Sequence, residues 1–138
     1  MTFINTNLDD VAEPQLADPG YHNLQIVDAK EMQTGPNSAR PGSPMIAVNI
    51  GFVDDPDLQN FTHFVNLPHE DDEPKSAKYK ALMLKRLLVL FSVPYDSAGI
   101  DTEKLCMDLP GASANAEVGI DEYQGRTNNT LKLPPLAD

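Results

Sequence analysis

Residues 61–91 read FTHFVNLPHEDDEPKSAKYKALMLKRLLVLF, and the change of period inside this run decides the fold. Its first six positions alternate, Phe61, His63 and Val65 against Thr62, Phe64 and Asn66, which is the two-residue repeat of a strand with unlike faces. From Pro74 the repeat becomes helical. Ala77, Ala81, Leu84, Leu88 and Phe91 follow the spacing i, i+4, i+7, i+11, i+14 and make one apolar stripe. Proline suits a first helical turn, the acids at 70–73 suit the positive end of the helix dipole, and Pro94 stops the helix. At 100° per residue, Lys75, Lys78, Lys85 and Arg86 fall on the opposite side, near Tyr79, Leu82 and Val89. With Lys80, this helix carries five of the ten Lys and Arg residues in an otherwise acidic chain.

Upstream, MIAVNIGFV (45–53) alternates with Ile46, Val48, Ile50 and Phe52 on one face, and the turn DDPDLQ joins it to the strand at 61–66 as a hairpin. YHNLQIVDAKEM (21–32) is rich in strand formers and ends at TGPNSARPGSP, a run too rich in turn residues to continue any regular element. Downstream, DTEKLCMDL (101–109) predicts a short helix capped by Asp101. ANAEVGIDEY and RTNNTLKL predict two further strands, with Ala114, Ala116, Val118 and Ile120 facing inward. The stretch before Tyr21 carries Asp9, Asp10, Glu13, Asp18 and two prolines without a sustained period. It reads as an acidic arm over 1–20, ahead of a domain over 21–133 and a short tail, 134–138. Five strands with the long helix between the third and fourth is the element order of an OB-fold, a mainly β, five-stranded Greek-key barrel.

The chain has 138 residues, the size of one domain, and its single cysteine excludes an internal disulfide framework. No apolar run opens it as a signal peptide would, and its longest apolar stretch is interrupted by Lys85 and Arg86, so a cytoplasmic protein without a membrane role is expected. The net charge of -11 opposes any protein that wraps nucleic acid by bulk attraction. A local basic groove can nonetheless coexist with an acidic remainder.

GYHNLQIVDAKEMQTG, THFVNLPHED, the basic helix and the closing EYQGRTNNTLKL together resemble a phage-encoded family of small early-region proteins. The resemblance rests on Val27, Asp28 and Ala29 at the end of a strand, Asn66, Leu67 and His69 before the helix, and Glu122, Tyr123, Gly125, Arg126 and Asn129 in the last hairpin. It spans about residues 19–133. It implies an OB-fold similar to phage single-stranded-DNA-binding proteins, working with phage replication or recombination proteins in the cytoplasm of the infected host cell. The tail PPLAD departs from the long acidic tail with which such proteins recruit partners.

Single-strand binding needs rings for base stacking and cations for phosphates. The ring candidates are Phe61 or Phe64 with His63 and Tyr21, together with Tyr123 beside a turn glycine; a core position is the plain alternative for each strand ring. The cation candidates are Lys30, Arg40, Arg126 and Lys132, in or beside the first loop and the last hairpin, with solvated surface as their alternative. The helix face formed by Lys78, Tyr79, Leu82, Lys85, Arg86 and Val89 reads as an association surface for an acidic partner, either the chain's own arm or a second copy in a homodimer. His22, His63 and His69 lack the spacing of a zinc motif, and HEDDE is more simply a helix entry. No phosphate-cradling glycine loop, no nucleophile elbow and no other catalytic constellation occurs, so neither an enzyme nor a cofactor is expected. Besides single-stranded DNA binding, the sequence leaves open an acidic protein-interaction module, or nucleic-acid mimic, that binds no DNA.

Overall fold

Residues 44–52 explain why the chain folds around a sheet. Ile46, Val48, Ile50 and Phe52 all point to one side and are buried, while Met45, Ala47 and Asn49 point to the other and stay half-exposed. In the computed structural model, which describes residues 8–10, 15–33, 44–68, 72–95, 99–123 and 125–136, this stretch is the second of five strands. They are β1 (Gly20–Gln33), β2 (Pro44–Phe52), β3 (Phe61–Asn66), β4 (Ser113–Tyr123) and β5 (Arg126–Leu131). Two helices, α1 (Pro74–Leu90) and α2 (Thr102–Asp108), lie between β3 and β4, preceded in the chain by a single 3-10 turn at Leu8–Asp10.

All pairings are antiparallel and the order across the sheet is β3-β2-β1-β4-β5. β1 serves as the spine: its first half pairs with β4 and most of its length with β2. The β1–β2 register slips between Ile26 and Asp28, leaving Val27 extra and exposed. Such a bulge resets the two-residue alternation, so Leu24, Ile26 and Ala29 all face the core despite their uneven spacing.

The barrel expected from the element order is not closed. The edge strands β3 and β5 come within 8 Å of each other at their Cα atoms but do not pair. Gln15–Ala17 instead runs between β5 and the residues leading into β3. Gln15 forms a parallel bridge with Leu58 and accepts a hydrogen bond from the Gln59 N–H (2.8 Å). Two residues on, the Ala17 N–H donates to Asn129 Oδ1 on β5 (2.9 Å), and Asn129 Nδ2 donates to the Ala17 carbonyl (2.9 Å) and to Gly119 O (3.1 Å). Asn129 is 2% exposed, and Ala17 is equally enclosed. A strap therefore ties β5, through one buried amide, to the residues just before β3.

α1 packs on this core through Leu84, Leu87, Leu88 and Phe91. Of the expected stripe, Ala81 is exposed; Lys80 takes the inward course and its ammonium pairs with the buried Asp72 carboxylate (2.9 Å). The end of α1 is a Schellman arrangement: the Ser92 N–H donates to Val89 O (3.2 Å), the Val93 N–H to Leu88 O (2.9 Å), and Val93 is buried. Ser92 occupies the left-handed position, φ 56°, where glycine is the usual residue. At α2 the Asp101 carboxylate caps the Glu103 and Lys104 N–H groups (3.1 and 3.3 Å), as the sequence predicts. On β4, Ala116 and Val118 face inward; Ile120, expected with them, lies opposite Asn129 beyond the rim of the core and is exposed.

Candidate nucleic-acid interface

The strand alternation that buries one side of β1, β2 and β3 fixes what the other side presents. Three cross-strand rows follow from the register: Met32–Met45–Asn66, Lys30–Ala47–Phe64 and Asp28–Asn49–Thr62. The middle row sets an exposed ring (Phe64, 52% exposed) and an exposed ammonium (Lys30) on either side of an alanine. Ala47 is too short to cover the ring, so a face of Phe64 remains open to a flat partner. Farther along the same side, a Cβ on Gly51 would lie 3.0 Å from Asn60 Oδ1 and 3.3 Å from Val27 Cγ2, so the absence of a side chain lets those two close over the strand. The face is thus small-residue and amide-rich around one ring. Lys30 makes no ion pair among the described residues, whereas Asp28, one row away, accepts a hydrogen bond from the Ala29 N–H (2.9 Å).

The other expected site residues fall in separate places. Phe61 (5% exposed) is in the core, its ring 5.8 Å from that of Phe52, which in turn meets His22 edge-on at 5.4 Å. His63 lies on the same core side of β3, half-buried, and burial holds its imidazole below the ordinary value of 6.5. Phe61 therefore offers no face for stacking, while His63 keeps part of its surface open. Phe64, the alternative that the sequence offered, is the ring of β3 that faces outward. Tyr21 is exposed at the start of β1, opposite Glu117 on β4. Lys132 lies beside the same acid, Nζ to Oε2 3.7 Å, with its stem over Gly119. Tyr21 and Lys30 are nine residues apart on one strand, roughly 30 Å at strand rise. Arg126 is exposed at the first position of β5, opposite Tyr123 and next to Gly125, whose φ of 76° forms the turn. Arg40 and His69, as well as the side chain of Tyr123, lie outside the described residues.

A second surface is the solvent side of α1. Lys75, Lys78 and Lys85 are exposed and make no ion pair among the described residues. Tyr79 (63% exposed) and Val89 (50%) stand between them, with Leu82 and Arg86 half-buried alongside. The Arg86 Nε is shut away from solvent without an acceptor. The described helices include none long and apolar enough to cross a membrane. Nor do the described residues contain a group of three or more His, Cys, Asp or Glu placed to hold a metal ion. Cys106 is half-buried beside β1; burial first, then the Glu31 carboxylate, raises its thiol pKa and keeps it from acting as a ready nucleophile.

Sequence reasoning missed the strap: Asn129 stood out only as a hairpin residue of the resemblance, and nothing in ADPG or TNNT pairs it with Ala17. Neither a protein-family model nor a curated protein matches the chain.

Proposed function

We propose that the outer face of β1, β2 and β3 binds single-stranded DNA without sequence preference, and that the protein serves phage replication or recombination in the cytoplasm of the infected cell. The observation that carries this reading is the row Lys30–Ala47–Phe64: an open ring for a base and a cation for a phosphate, held at fixed spacing on a sheet. The strand order β3-β2-β1-β4-β5, with α1 between β3 and β4, supports it. On an OB-fold reading of this order, the β2–β3 face and the β1–β2 and β4–β5 loops would hold oligonucleotides. Phe64 lies on that face, Arg40 stands between β1 and β2 in the sequence, and Tyr123 and Arg126 flank the turn between β4 and β5.

The rival reading, a protein-interaction module that binds no DNA, draws support from the net charge of -11. Fluorescence anisotropy of labelled poly-dT at low and moderate salt separates the two. Single-strand binding that weakens with salt and exceeds duplex binding is expected, and Phe64→Ala weakens it about 5- to 150-fold, the worth of one stacked base. No binding at low salt, or binding indifferent to Phe64→Ala, refutes the assignment of this face.

A further inference from the structure

Among the described residues the solvent side of α1 has no partner, and the proposed nucleic-acid face does not use it. It sets Lys75, Lys78 and Lys85 around Tyr79 and Val89, both at least half exposed. Cations spaced along a helix repel one another, and exposed apolar side chains among them gain nothing from solvent. Such a face is completed by a segment that brings both carboxylates and apolar side chains. The chain contains one. The fourteen residues preceding Gln15, MTFINTNLDDVAEP, carry Asp9, Asp10 and Glu13 with Phe3, Ile4, Leu8 and Val11, and no Lys or Arg.

We infer that the acidic N-terminal arm of a second copy of this chain docks on the basic face of α1, and that the exchange is reciprocal. Gln15 and Ala17 fix the root of the arm between β5 and the residues leading into β3. From there fourteen residues span at most roughly 50 Å when extended, ample to reach a neighbouring molecule. Among the described residues, Leu8 of the arm is 77% exposed, and Tyr79 and Val89 of the face are exposed as well. A two-fold dimer repeats the contact, each protomer giving one arm and receiving one, so all exposed apolar residues of both surfaces find partners together.

The test is the mass of the full-length chain in solution by multi-angle light scattering, over a range of concentrations. A dimer is expected. An arm variant, Asp9→Lys with Asp10→Lys and Glu13→Lys, and a face variant, Lys75→Glu with Lys78→Glu and Lys85→Glu, are each expected to be monomeric and folded by circular dichroism. Mixing the two restores complementary charge at both contacts of the pair, and the dimer returns. A monomeric full-length chain overturns the proposal, as do variants that remain dimeric. So does a mixture that stays monomeric. A monomeric chain whose face variant loses poly-dT binding would give the face to nucleic acid instead.

Discussion

Replacing Asn129 by alanine tests whether the strap holds β5 to the residues leading into β3. The side chain makes three hydrogen bonds of 2.9 to 3.1 Å at a site 2% exposed. Its removal strands the Ala17 N–H and relieves two carbonyls, those of Ala17 and Gly119, of a donor. A buried donor left unmade costs about 1–3 kcal/mol, and each carbonyl, with a second lone pair, about 0.5–1 kcal/mol. The expected loss is therefore about 3 kcal/mol. At an unfolding entropy of about 2.1 cal/mol/K per residue, the 138-residue chain should melt roughly 10 °C lower. Urea unfolding should show the same loss as a lower midpoint at unchanged slope. Hydrogen exchange separates global from local failure: a strap that lets go by itself exposes the Ala17 and Gln59 amides to exchange before the sheet opens. Asn129→Asp should cost more at neutral pH, because a carboxylate would face both carbonyl oxygens. Its pKa would rise on folding, so the deficit should shrink as the pH falls. The reasoning fails if Asn129→Ala loses under about 1 kcal/mol while both amides stay protected.

Two further outcomes follow from single groups. Ser92→Gly should raise stability by about 1 kcal/mol in urea melts, since the Schellman end of α1 needs the left-handed backbone that glycine enters without penalty; an unchanged midpoint would show that the serine is unstrained. Burial depresses the folded-state pKa of His63, so the imidazole contributes nothing adverse above about 6.5 and a growing destabilisation as the pH falls through 6.5 toward the folded value. His63→Gln should flatten the stability–pH curve in that window, and equal curves for both proteins would refute the burial account.

What could be read from the chain and what could not divide along a physical line. β2 was legible because a two-residue period with four branched or aromatic residues has one burial solution, and α2 because Asp101 satisfies its own helix end within three residues. α1 was legible as a helix, but its inward stripe was not: Ala81 and Lys80 differ by one position, and the choice fell to a buried carboxylate, Asp72, eight residues away. The bulge at Val27 was hidden because its cause is the register of two neighbouring strands. Phe61 and Phe64 are chemically alike, and only the pairing of β3 on β2 decides that the first is core and the second outward. Ala17 and Asn129, 112 positions apart, were illegible because each is explained solely by the other.

The net charge of -11 then becomes a question of where the cations lie. Lys80, Lys104 and Lys132 are committed to Asp72, Asp108 and Glu117. On the sheet face Lys30 is offset by Asp28 one row away. If DNA is held there by Phe64 and Lys30 alone, without Arg40 and Arg126 of the flanking loops, it owes most of its affinity to stacking, and little to counterion release. The logarithm of the binding constant should then fall with the logarithm of salt by a slope of only about 0.7, one phosphate's worth for a single strand. If the strand also crossed α1, adding Lys75, Lys78 and Lys85, the slope would steepen to about 2.8. A shallow slope that vanishes in Lys30→Ala keeps DNA on the sheet and leaves α1 for protein. A steep one that survives Lys30→Ala moves DNA to the helix and removes the ground for the dimer.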